Sequence, residues 1–152
     1  MKKIIILICV IVTILSNSVY AQTSSNESNN KKYGVIRVSV SNMRGEGKFT
    51  SGMVSQALLG TPVKILQKDG WYEVQTPDDY TGWVHRMALT PMSEEQYNAW
   101  NHAEKIVVTA HYGFTYEKPN KKAQTVSDVV AGDRLKWEGS KGRYYKVSYP
   151  DG

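Results

Sequence analysis

Residues 60–78 read GTPVKILQKDGWYEVQTPD. Pro62 to Lys68 has strand character, with Val63 and Ile65 on one face. Asp69-Gly70 is a strong hairpin signal, because both residue types tolerate the positive φ that a two-residue turn demands. Trp71 to Thr76 then runs back, with Tyr72 and Val74 on one face. Residues 132–151 read GDRLKWEGSKGRYYKVSYPD. Gly60 matches Gly132, 72 positions on (132 minus 60), and Pro77 matches Pro150, 73 on (150 minus 77). One residue is therefore inserted in or just after the Ser140-Lys141-Gly142 turn. Tyr72 and Val74 recur as Tyr145 and Val147. The chain carries two copies of one β module.

Working outward, Val35 to Val40 reads as a β-branched strand and Asn42 to Gly52 as a loop. Met53 to Leu59 is mixed, Gly60-Thr61 and Pro77 to Tyr80 are turns, and Gly82 to Arg86 is a last short strand. Five short strands in about 55 residues, with no helix between them, predict a small antiparallel barrel. Its expected core is Val38, Met43, Val54, Leu58, Val63, Ile65, Tyr72, Val74, Trp83 and Val84. Ser93 with Gln96 forms a capping box, and Met92 with Tyr97 a hydrophobic staple. Glu94 and Glu95 suit the positive end of a helix dipole. These signals predict a short helix over Glu94 to His102, packed between two domains because it is too short to stand alone.

Strand character resumes at Lys105. The second copy stops before any counterpart of Tyr80-Thr81-Gly82-Trp83-Val84. A barrel lacking its closing strand leaves an open edge and an uncovered core face. The expectation is a natural product longer than this chain; a short, partly disordered tail is the alternative.

The amino terminus is a different kind of sequence. Lys2 and Lys3 precede an apolar run from Ile4 to Leu15, and Ser16 to Ala21 is rich in small residues. This is the pattern of a secretory signal peptide cleaved after Ala21. The apolar run is shorter than the roughly 20 residues a membrane-spanning helix needs. Cys9, the one cysteine, lies inside that run behind Ile8, which does not suit lipidation. The mature chain then has no thiol for a disulfide, a metal site or a nucleophile. Gln22 to Lys32 is polar, without an aliphatic residue, and reads as a flexible linker. Net charge is +5, or +3 without Lys2 and Lys3, and no run of five like charges occurs. No nucleic-acid partner is indicated, and no membrane association once the signal is removed.

Asn42-Met43-Arg44, the segment Val54 to Val63, Gly70-Trp71-Tyr72-Glu73-Val74 and Tyr80-Thr81-Gly82-Trp83-Val84 together resemble a bacterial SH3 (SH3b) domain. More narrowly, the chain resembles the N-terminal tandem SH3b region of NlpC/P60 cell-wall peptidases, which are γ-D-glutamyl-L-diamino acid endopeptidases. The resemblance runs from about Tyr33 to Gly152. It implies peptidoglycan-derived peptides as ligands, a C-terminal NlpC/P60 catalytic domain as partner, and a location in the periplasm, cell envelope or extracellular space. The family's nucleophile is a cysteine with a histidine base. The mature chain has no cysteine, so it holds no catalytic residue of that type. In the family, the first SH3b domain helps recognise the free amine of the substrate. The matching positions are Glu46, a carboxylate in the loop after N-x-R, and Tyr80, just before Gly82-Trp83. A carboxylate facing an ammonium makes a charge-assisted hydrogen bond, and a tyrosine hydroxyl adds a second contact.

Each feature also has a plainer reading. Glu46 serves equally as a solvated loop carboxylate, and Tyr80 as a turn residue half-packed on the barrel. Trp71 and Trp83 suit ligand stacking, but so small a barrel needs aromatics for its core and rim. His85, His102 and His111 have no helical i, i+4 spacing and no acidic partner at a recognisable offset, which disfavours a metal site. There is no G-x-S-x-G elbow and no phosphate-binding glycine loop. No cofactor is expected.

The sequence therefore predicts a mainly β protein: two small SH3-like β-barrels joined by a short helix, the second incomplete. The expected divisions are a signal peptide at 1–21, a linker at 22–32, a first SH3b domain at 33–91 that folds alone, a helical linker at 92–104 and a truncated second SH3b domain at 105–152. The function expected is non-catalytic targeting and substrate recognition for a secreted peptidoglycan hydrolase. The alternative is a stand-alone SH3b protein of the envelope that binds peptides or a protein partner. Sequence beyond the Gly152 codon separates the two.

Overall fold

The computed structural model describes residues 31–152, so the expected signal peptide and residues 22–30 of the linker lie outside it. Seven strands of the first half form one antiparallel sheet. They are β1 (Tyr33–Ile36), β2 (Val40–Arg44), β3 (Met53–Leu58), β4 (Pro62–Asp69), β5 (Trp71–Gln75), β6 (Thr81–His85) and β7 (Leu89–Met92). Their order is β3-β2-β6-β5-β4-β1-β7. Strand β6 pairs along its whole length with β5 and meets β2 at Arg44 opposite Trp83, which curls the sheet over its core. The protein is mainly β with an SH3-like fold.

The expected strand over Val35 to Val40 is two strands. Between them the backbone leaves the ladder for other partners: Arg37 N–H donates to Ala88 O at 2.9 Å, and Ser39 O accepts from Leu59 N–H at 3.2 Å. Asn42-Met43-Arg44, expected in a loop, lies in β2. Strand β7 was not expected at all. It pairs with β1, placing Met92 opposite Tyr33 and Leu89 opposite Ile36. The hairpin turns at Gly70, with φ +65°, where an L-residue is strained.

The main core of this half is Ile36, Met43, Ala57, Val63, Ile65, Val74, Val84 and Leu89, with Val38 and Tyr72 half-buried against it. Val54, Leu58 and Trp83 depart from the expected core. Successive strand residues face opposite ways, so Trp83 and Val84 cannot both point inward; Val84 is the buried one. The same alternation in β3 buries Ala57 and turns Val54 out. Leu58 is half-buried and points to the other half, where a Cβ at Gly132 would come within 2.7 Å of its Cδ1.

Helix α1 (Glu94–His102) has the expected bounds. Gln96 N–H donates to Ser93 Oγ at 3.2 Å, and Ser93 N–H to Gln96 Oε1 at 3.0 Å. Met92 and Trp100 pack on Val35, with Tyr97 beside them. Lys105 closes the helix by donating to the Trp100, Asn101 and Ala103 carbonyls. Burial pulls its ammonium below the usual lysine range, with a smaller contribution from Arg134.

The second half has β8 (Lys105–Val107), β9 (Tyr112–Tyr116), β10 (Thr125–Val130), β11 (Arg134–Lys141) and β12 (Tyr144–Ser148). They form two separate sheets, β10-β9 and β12-β11-β8. The repeat read from the sequence is carried by the backbone. The β4–β5 register breaks between Ile65 and Gln67, and the β11–β12 register between Trp137 and Gly139, 72 positions on. The β2–β3 irregularity near Ser55 likewise recurs near Ser127. Striking β6 and β7 from the first sheet's order leaves β3-β2 and β5-β4-β1, the arrangement of the second half. Its small core is Val129 and Leu135, with Val108, Val147 and Tyr149 half-buried around them. Leu59 of the first half completes it.

Candidate functional site

The turn between β5 and β6 is built by Thr76-Pro77-Asp78-Asp79-Tyr80. Thr76 N–H donates to Tyr80 O at 2.9 Å, and Asp79 N–H to Thr76 O at 3.0 Å. The Thr76 hydroxyl lies 2.5 Å from Asp78 Oδ1 and 3.1 Å from Tyr80 O. This network holds Asp79 at φ +62°, the one positive φ outside glycine among the described residues. Aspartate tolerates that region better than most residues.

The turn forms one wall of an open cleft of about 400 Å³. Asp79, Tyr80 and Thr81 line that wall, Glu73 and Trp83 come from the outward face of the hairpin, and Val54 and Gly45 stand opposite. Glu73 and Trp83 are cross-strand partners, which brings carboxylate and indole together. Gly82 lines the floor, where a Cβ would come within 3.1 Å of Met43 Cβ. The Tyr80 hydroxyl donates to Val54 O at 3.2 Å and spans the cleft. Two carboxylates, a phenol and an indole converge, and among the described residues no lysine or arginine lines the cleft. In a chain of net charge +5 this is a local inversion of sign.

Of the two residues expected at a site, Tyr80 lines the cleft and is 46% exposed. Glu46 does not line it. It follows Gly45, which does, and its carboxylate is ion-paired with Lys48 at 2.5 Å. The loop that carries it closes through Gly45 N–H to Gly52 O at 3.1 Å and Arg44 Nη1 to Ser51 O at 2.6 Å. Gly47 seats this loop on the indoles, since a Cβ there would lie 3.0 Å from Trp83 Cε3 and 3.2 Å from Trp71 Cβ. Phe49 extends the aromatic face, with ring centroids 4.8 Å from Trp71 and 5.1 Å from His85. Trp71 and Trp83 thus both belong to the outward face.

Sequence reading missed Glu73, Asp79, Trp83 and Val54 as lining residues. For Glu73 a signal exists: it alternates between the inward Tyr72 and Val74. Asp79 offers only its place in an acidic turn before Tyr80. His85 Nδ1 accepts from Met87 N–H at 3.4 Å, and His102 Nδ1 lies 2.7 Å from Asn98 O. Among the described residues, no group of three or more His, Cys, Asp or Glu is placed to hold a metal.

Residues 43–89 match the bacterial dipeptidyl-peptidase SH3 domain family, so the SH3b resemblance read from the sequence is shown. A search of curated proteins finds no match. Among solved structures, the chain is similar to an NlpC/P60 family protein from Bacillus cereus, with a TM-score of 0.64 and 21% identity, over 79% of this chain and 52% of that one. It is also similar to an NlpC/P60 endopeptidase from Photobacterium damselae subsp. piscicida, with a TM-score of 0.56 and 15% identity, over 80% of this chain and 32% of that one. The chain spans about half the length of the first and a third of the second.

Proposed function

We propose that this chain is the non-catalytic recognition region of a secreted peptidoglycan peptide hydrolase of NlpC/P60 type, and that the cleft in its first half binds the free amino end of a wall peptide. The observation that carries the reading is the cleft lined by Glu73, Asp79, Tyr80 and Trp83, with no cation from the described residues. A primary ammonium supplies the missing charge. Glu73 and Asp79 accept its hydrogen bonds, the Tyr80 oxygen offers a further lone pair, and the Trp83 ring contributes a face that favours cations. Val54 gives an apolar contact for a small side chain next to the amine. Glu46, one residue beyond the lining and engaged by Lys48, acts from the rim.

The same proposal divides the chain into SH3b domains at 33–91 and 105–152, joined by 92–104, with export directed by residues 1–21. Among the described residues no helix is long and apolar enough to cross a membrane. The working location is the envelope or the extracellular space, with peptidoglycan peptides and an NlpC/P60 catalytic domain as partners.

The test is calorimetric titration with L-alanyl-γ-D-glutamyl-diamino acid tripeptide, free and N-acetylated. Acetylation removes the charge, so affinity should fall by roughly 10- to 100-fold, the equivalent of about 1.5–3 kcal/mol for a charge-assisted hydrogen bond. Tyr80→Ala should weaken the free peptide while leaving the melting curve nearly unchanged. Equal affinity for both peptides rules the amine role out.

A further inference from the structure

Leu59 and Gly60 lie at the joint between the halves, which the Arg37–Asp151 ion pair at 3.0 Å and the Ser39–Asp128 hydrogen bond at 2.9 Å also bridge. Leu59, 1% exposed, packs with Val129 and Leu135 of the second half. Its carbonyl accepts from Arg134 N–H at 2.9 Å. The Gly60 carbonyl accepts from the Trp100 indole N–H at 3.2 Å. Next to this contact in the second half stands Asp133, fully buried. Its Oδ2 accepts from Val130 N–H at 2.8 Å, while Oδ1 is enclosed with no hydrogen-bond partner among the described residues.

The fold does not need a carboxylate there. The equivalent residue in the first half is Thr61, and the same turn closes in both halves: Thr61 N–H donates to Leu58 O at 3.1 Å, and Asp133 N–H to Val130 O at 3.1 Å. Among the described residues, Asp133 makes no ion pair with a cation. The groups that face it work the other way. Asp128, on β10, takes the Ser39 hydroxyl at 2.9 Å and adds a second negative charge. Tyr149, beyond β12, is itself half-buried, and its hydroxyl lies 2.7 Å from Thr115 Oγ1. Arg134 follows on β11, and the Lys105 ammonium of β8 is engaged by the end of α1. Burial pushes the Asp133 carboxyl above the usual aspartate range and Asp128 adds to this, while the backbone N–H groups of Val130 and, from the first half, Leu59 offset part of it.

We propose that Asp133 makes the joint between the halves pH-sensitive, tight when its carboxyl carries a proton and looser when it is ionised. Burial penalises a carboxylate that carries a full charge and has an unpartnered oxygen far more than it penalises the neutral carboxyl. A carboxyl held above its unfolded value stabilises the joint below that value, and the stabilisation is lost as pH rises through the raised one. The second half then loosens its hold on Leu59.

The experiment follows hydrogen exchange of the Arg134 amide and the Trp100 indole in the full chain, by NMR, from about pH 4, near the ordinary aspartate value, up to about pH 8. Val74 in β5 serves as internal reference for the intrinsic pH dependence. Opening of the two joint protons relative to Val74 should increase with pH, by about tenfold per unit that the carboxyl stands above an ordinary aspartate. Asp133→Asn should flatten the dependence. Asp128→Asn, which keeps an acceptor for Ser39 and removes the neighbouring charge, should move the midpoint to lower pH, and it decides the matter alone if Asp133→Asn does not fold. A pH profile that neither variant alters overturns the proposal.

Discussion

Val35 and Val107 stand at equivalent places, 72 positions apart, and one is wholly buried while the other is 53% exposed. Ile65 and Trp137 form a second such pair, at 8% and 38%. The two halves share strand order, register and both irregularities, so local sequence does not make this difference. What differs is the presence of β6, β7 and α1. Strand β6 lies between β2 and β5, and β7 with α1 covers β1. Among the described residues, no strand lies between β9 and β12 in the second half. Burial in so small a sheet depends on the element that closes it, because a handful of strands cannot enclose a core otherwise. The cleft follows the same rule. Five of its lining residues, Asp79, Tyr80, Thr81, Gly82 and Trp83, belong to β6 or the turn that enters it, and among the described residues the second half has no counterpart.

Breaking matched positions should therefore give unmatched effects. Val35→Asp puts a carboxylate among Met92 and Trp100, and should cost roughly 3 kcal/mol or more in denaturant unfolding. Val107→Asp should stay within about 0.5 kcal/mol, the range of an exposed site. A smaller contrast is expected at the turn glycines. Gly60 has φ +84°, and a Cβ there would lie 2.0 Å from the Arg134 carbonyl oxygen, so Gly60→Ala strains both backbone and joint. Gly132 has φ +97°, but its nearest atom is the tip of Leu58 at 2.7 Å, which can move. Gly60→Ala should lose about 2–3 kcal/mol and Gly132→Ala about 1 kcal/mol, read from the same unfolding curves.

The parts of this fold legible in the sequence were those encoded within a few residues. The capping box of Ser93 and Gln96 located α1, and Asp69-Gly70 located the hairpin. The repeat located the counterparts of β4 and β5, with the insertion at the turn after Gly142. What was not legible depends on distant partners. Strand β7 contains Pro91 and takes its register from β1, more than 50 residues earlier in the chain. Leu59, in a segment the sequence left mixed, is buried against Val129 and Leu135 of the other half. Trp83 and Val54 were assigned inward because they are apolar, although alternation against Val84 and Ala57 turns them out. Tyr80 was singled out through the SH3b resemblance, and it lines the cleft. Its carboxylate neighbours, Glu73 and Asp79, became visible only when the hairpin and its strained turn brought them together.

The central claim is that one module occurs twice and that, among the described residues, only the first copy is closed by a strand. Amide hydrogen exchange in β5 and β12 tests it most directly. Every interior amide of Trp71–Gln75, flanked by β4 and β6, should be protected to the level of global unfolding. In Tyr144–Ser148, paired with β11 alone, alternate amides should exchange nearly as fast as in an unstructured chain. Uniform protection along β12, equal to that of β5, would contradict the account.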